Sequence, residues 1–401
     1  MKYQYTYFIH PYIVDEKKYS KYILRLLKNK KCKLKTYEKE KELNMYTYFL
    51  PKVRKQLFWS FGLSKEKMEQ LKKFDDKMKS VVLSKESSTI FEYKIEEDMQ
   101  AKIGEKYGIF FDITKMEIIC FNTGVCFLLI KTVLEGEPTI DDVLNFNYKF
   151  RDINSSMQNL KEYENIKIQT NSFKDIQTLE EIIKSITASN KDIKELNIDD
   201  ERFLTYSYMC IEADKWKNEQ DFENIRNSFI KFANILPSKY HVNFEKEREG
   251  IEILETLKNI KIGLSKQAVT LMTSQISPEN YTKLPYIYEN EYLYTYILAI
   301  YQKIYLRKLE LEFENTKTIK EAKRKFIKFA KSIYNQEVTN DIEGSLIYEK
   351  LRKILKTKEL YNEIKSKYDL IYKEINIKTN YIVIVAILVV ILIGIVNLLM
   401  F

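Results

Sequence analysis

The sequence predicts an α+β body of α/β type, then a long helical stalk, then one carboxy-terminal membrane-spanning helix. Three observations predict this. Strand-like alternation and helical spacing take turns over residues 1–285, no proline occurs after Pro285, and the chain ends on the uncharged run YIVIVAILVVILIGIVNLLMF. That run, Tyr381–Phe401, is interrupted only by Gly394 and Asn397.

The body reads element by element. KYQYTYFI places Tyr3, Tyr5 and Tyr7 on one side of a strand, and YSKYILRLLK carries apolar residues at helical spacing. MYTYFLP reads as a short strand ended by Pro51, SKEKMEQLKKFDDKMKSV as one amphipathic helix capped by Ser64, and TIFEYKI as a strand. Met116–Phe121 and Val125–Thr132 form a hairpin across NTG, where Asn122 and Gly124 can supply the positive φ of a tight turn. Further on come a helix (IQTLEEIIKSI), a strand (RFLTYSYMCIEA), a helix (DFENIRNSFIKFANIL) and a strand (QAVTLMTSQ). Residues 1–285 are therefore one α/β domain or two halves, 1–160 and 161–285.

Residues 286–380 form the stalk. One or two long helices run from Tyr286 to a break marked by Thr339, Asn340, Asp341 and Gly344. Ile347, Leu351, Ile354, Tyr361, Ile364, Tyr368, Ile371 and Ile375 then make a stripe that faces either the preceding helix or the same helix of another subunit. Residues 381–401 make a rod of roughly 30 Å at about 1.5 Å per residue, the thickness of a bilayer core. Lys365, Lys367, Lys373 and Lys378 precede the run and no Lys or Arg follows it. A single-pass protein of the cell inner membrane with a cytoplasmic amino-terminal body is the expectation.

Composition narrows the function classes. With 45% hydrophobic residues, nine Gly and six Pro in 401 residues, the chain is globular and lacks flexible tethers. The net charge of +9 gathers in KNKKCKLK and KEAKRKFIKFAK; beside a membrane it suits anionic headgroups better than nucleic acid, and no nucleic-acid partner is expected. Cys32, Cys120, Cys126 and Cys210 have no metal-type spacing, and His10 and His241 are the only histidines. Phosphate-loop, dinucleotide, nucleophile-elbow and HExxH patterns are absent, so the chain is not expected to be an enzyme.

Three strings, IICFNTGVCFLLIKTVLEGEPTIDDVLNFNYKFRDI, IGLSKQAVTLMTSQ and YLYTYILAIYQKIYLRKLELEF, resemble the divergent members of the CorA-like divalent-cation transporter family. They cover under a quarter of the chain. The resemblance implies a cytoplasmic α/β domain, a descending helix, a homo-oligomer, pentameric in that family, and Mg2+ as the ion. The chain departs from the family in having one span instead of two and no Gly-Met-Asn triplet. Its nearest counterpart is GIVN, which makes Gly394 and Asn397 the candidate pore residues, unless Asn397 simply faces water at the outer interface.

The family's cytoplasmic metal sites point to Asp141 and Asp142, and to Asp199, Asp200 and Glu201, as Mg2+ ligands. Paired carboxylates of this kind also cap helices or sit in solvated turns. Tyr292, Tyr294, Tyr296, Tyr301 and Tyr305 line either a ligand groove or a packing face. Arg151 beside Asp152 reads either an anionic ligand or a surface ion pair. The function expected is a homo-oligomeric sensor of a cytoplasmic small molecule, nucleotide or ion, coupled to a membrane helix with ion passage. Its rival is a membrane-tethered effector or scaffold, for example an anti-phage protein that permeabilises the membrane when a signal nucleotide arrives.

Overall fold

The computed structural model describes residues 1–95, 100–103, 109–153, 167–170, 173–187, 201–243, 250–255, 257–315 and 318–400. Its strands are β1 (Tyr3–Ile13), β2 (Cys32–Lys35), β3 (Ser88–Tyr93), β4 (Gln100–Ile103), β5 (Ile109–Phe121), β6 (Val125–Leu134), β7 (Lys167–Thr170), β8 (Phe173–Thr178), β9 (Leu204–Ile211), β10 (Glu252–Leu254), β11 (Ile260–Leu264) and β12 (Ala268–Ser274). The helices are α1 (Tyr19–Lys28), α2 (Leu43–Tyr48), α3 (Pro51–Leu57), α4 (Lys65–Lys73), α5 (Asp76–Leu83), α6 (Ile140–Phe150), α7 (Leu179–Thr187), α8 (Glu219–Asn234), α9 (Leu293–Glu314), α10 (Ile319–Lys328), α11 (Ile342–Ile354) and α12 (Thr357–Met400). A π-helical turn, Tyr288–Tyr292, leads into α9.

Ten strands form one mixed sheet in the order β10-β11-β12-β9-β1-β6-β5-β3-β2, with β4 paired to β5. β9 and β12 run parallel, while β1 is antiparallel to both β6 and β9. Because strand side chains alternate, β1 sends Tyr5, Tyr7 and Ile9 to one core and Phe8 and Tyr12 to the other. The first core is closed by α2, α3 and α9 to α12, the second by α1 and α4 to α8. Helices on both faces explain why β6 reads as an almost unbroken apolar run. α9 is buried on nearly every side, which is why its tyrosines show no single stripe.

Several expectations need correction. The described apolar side chains of α12 between Tyr381 and Ile393 are all exposed. Among the described residues, no helix is long and apolar enough to cross a membrane. The single carboxy-terminal span is withdrawn on this finding, and with it the tail anchor, the single-pass inner-membrane placement and the transport role. The side chains of Gly394 and Asn397 lie outside the described residues.

Of the expected strand Met45–Pro51, Met45–Tyr48 lies in α2 and Pro51 starts α3, because Met45 and Tyr48 on one helical face reach the core. Residues 64–83 hold two helices, since Asp75 accepts from the Met78 N–H and starts α5 afresh. The stalk residues Ile347, Leu351 and Ile364 are buried in the same core as α9. The helix bearing them is broken at Lys356, whose φ is +53°.

Candidate anion pocket

A turn, an edge strand and a bulge build a basic cavity. After α1, Asn29 organises the turn: its side chain accepts from the Lys31 N–H at 3.0 Å and its carbonyl from the Cys32 N–H at 2.9 Å. That turn starts β2, the sheet edge, and sets Lys33 directly opposite Glu92 on β3. On β5 the register with β6 slips between Ile113 and Lys115. A bulge of this kind re-aims the side chains beside it.

The resulting pocket encloses about 600 Å³, inside the range of small-ligand sites. Lys30, Lys31, Lys33, Lys94 and Lys115 line it, with Glu92 as the one acid among the described residues of the wall. Among the described residues five cations line the wall against one carboxylate, and of these Lys115 is also met by acids outside the wall. Lys30, Lys33 and Lys94 meet no described carboxylate at ion-pair distance. Cys32 also lines the cavity, and burial pushes its thiol up to about 11, which keeps it protonated near neutral pH.

Lys115 has a second role. Its ammonium lies 3.1 Å from Glu289 Oε1 and 3.5 Å from Glu117 Oε2. Glu289 sits in the π-helical turn; it also takes Lys131 Nζ at 2.6 Å and a hydrogen bond donated by the Tyr7 hydroxyl. Burial works to raise the Glu289 carboxyl, but the Lys115 and Lys131 ammoniums hold it down at about 2. Glu117 is lowered in the same way, with burial opposed by Lys115 and Lys35, and Lys35 Nζ reaches it at 2.6 Å. The pocket wall is thus tied by one side chain to the turn that starts α9. α9 in turn packs on α12, with Lys367 of α12 3.4 Å from Glu310.

The sign of the pH dependence follows. A carboxyl lowered from 4.5 to about 2 stabilises the fold fully above 4.5 and loses that contribution as pH falls through 2. The difference corresponds to roughly 3 kcal/mol. Urea denaturation between pH 5 and pH 2.5 should therefore show wild type losing stability more steeply than Glu289→Gln. Parallel slopes for the two proteins would refute the strong pairing.

The residues expected from sequence fall elsewhere. Asp141 and Asp142 lie in the first turn of α6, where the Asp142 carboxylate accepts from the Thr139 N–H and hydroxyl as part of a capping box. Asp199 and Asp200 lie outside the described residues, and the Glu201 carbonyl accepts from the Ile153 N–H. Among the described residues, no group of three or more His, Cys, Asp or Glu is placed to hold a metal. Tyr292, Tyr294, Tyr296, Tyr301 and Tyr305 are buried packing residues, with Tyr301 stacked on Phe121 at 3.7 Å between ring centres. Asp152, beside Arg151, is fully buried and pairs with Arg202 at 3.2 Å. Of the pocket lysines, only those of KNKKCKLK stood out in the sequence. Lys94 and Lys115 arrive through strand pairing and carry no local signal.

Comparison with known proteins returns nothing: no family model, no curated protein and no solved structure matches the chain. The CorA-like resemblance rests on its three strings alone.

Proposed function

We propose that this chain is a sensor of a small anionic ligand bearing phosphate groups. The basic pocket takes the ligand, and the Lys115–Glu289 link passes occupancy to the π-helical turn, α9 and α12. One observation carries the reading: Lys115 belongs both to the pocket wall and to the ion-pair network under the turn. An anion in the pocket would compete with Glu289 for that ammonium and loosen its hold on the turn. Lysines act here as point charges without the planar fork of arginine, which fits a ligand of high charge and loose geometry. The reading keeps the ligand-sensing role expected from sequence and assigns it to the basic run KNKKCKLK together with Lys94 and Lys115, which the sequence did not single out.

The test uses inorganic tripolyphosphate and ATP, each without metal, at low and high salt. Tripolyphosphate at 100 times its Kd should stabilise the fold by about 2.7 kcal/mol, and added salt should shrink the effect. The double variant Lys33→Ala/Lys94→Ala should lose the response. Hydrogen exchange at residues 288–300 should rise when ligand binds. No stabilisation by either compound at low ionic strength would end the proposal, and a response to ATP alone would identify a nucleotide.

A further inference from the structure

We infer that a second pocket, between α2, the π-helical turn and the start of α11, binds a hard divalent cation of the Mg2+ class through the carboxylates of Glu291 and Asp341. The cavity encloses about 400 Å³ and is lined by Asn44, Thr47, Glu291, Asn340 and Asp341 among others, with no lysine, arginine, histidine or cysteine in its wall. Glu291 is only 9% exposed, yet no described donor reaches its carboxylate. Its charged neighbour is Asp341, of the same sign.

A carboxylate held beside a like charge with no cation is unfavourable, and the same turn supplies the contrast. Two residues earlier, Glu289 is met by two ammoniums and a hydroxyl. Glu291 meets only another acid. Asp341 commits one oxygen, Oδ1, to the Gly344 N–H at 2.7 Å as the cap of α11, which leaves Oδ2 for a second partner. Asn44 and Asn340, which carry neutral amide oxygens, line the same cavity. Two carboxylates, neutral oxygens and room for retained waters are what Mg2+ uses, whereas softer metals favour nitrogen or sulfur. A bound cation would join the π-helical turn to α11 across 50 residues of chain. The inference does not depend on the anion pocket.

The test measures melting of the full chain, stripped with EDTA, in MgCl2 and in KCl at matched ionic strength, without any anionic ligand. Mg2+ should raise Tm above the KCl value, and both Glu291→Gln and Asp341→Asn should abolish that rise. Asparagine still caps a helix, so the second variant keeps α11 intact. Without metal, Glu291→Gln should melt no lower than wild type, because it removes a carboxylate that faces only another acid. Identical melting of wild type in the two salts, or an undiminished Mg2+ response in Glu291→Gln, would overturn the site.

Discussion

Replacing Glu289 with alanine is expected to destabilise the fold by about 3–5 kcal/mol, the range for breaking a buried ion pair by removing one partner. Lys131 is 13% exposed at its side chain and pairs with no other described carboxylate. The substitution leaves its ammonium beneath the Tyr5 ring, 4.5 Å from the ring centre, without a counter-charge. The Tyr7 hydroxyl loses its acceptor at the same time. Lys115 suffers less, because Glu117 stays within 3.5 Å. A useful control is Glu180→Ala, which removes the pair with Lys184 on the surface of α7, where both side chains are more than a third exposed. Such a pair contributes at most about 1 kcal/mol. Urea denaturation of the two variants should separate them clearly, and a loss below that of the control would mean the network behaves as a solvated surface pair. Adding Lys131→Met to Glu289→Ala should restore part of the stability, since an apolar side chain leaves no stranded charge.

Physical locality decides how much of this was legible in the sequence. The period-two tyrosines of β1 and the NTG turn between β5 and β6 are written within a few residues, and both appear where expected. Local propensity also misled at Met45–Phe49, whose aromatic character favours strand, because the core contacts of Met45 and Tyr48 outweigh it. The candidate site is harder to see because it is made by register. Lys115 and Glu289 are separated by 174 positions and Lys131 and Glu289 by 158. No spacing rule connects residues so far apart until the order β6-β5-β3-β2 and the bulge at Thr114 are known. The run KNKKCKLK was conspicuous, but its meaning changed once Lys94 and Lys115 were found on the same cavity. The acidic pairs were conspicuous too, and the one resolved at a helix start is satisfied by a cap. Glu291 and Asp341 are 50 positions apart in sequence, and Asp341 stood out there only as part of a helix break.

Gly124→Ala is the substitution expected to damage the sheet most for its size. The residue has φ +82°, and a Cβ there would come within 2.2 Å of the Val14 carbonyl oxygen. That oxygen is backbone, and it is held in place because the Val14 N–H donates to the Gly124 carbonyl at 2.8 Å. No side chain can swing aside to make room. A left-handed conformation costs an alanine about 1–2 kcal/mol, and overpacking adds about 1–3 kcal/mol. The total should therefore reach about 3 kcal/mol, felt at the end of β1 that pairs with β6. Gly136→Ala isolates the two contributions: its φ is +71° but nothing lies within 4 Å of its Cβ position, so only the conformational part applies. The two variants, compared by urea midpoint at equal m-value, should differ by the steric part alone. Equal losses would show that the β5–β6 turn relaxes away from β1, and that its register is held by the hydrophobic faces of the sheet instead of by this close approach.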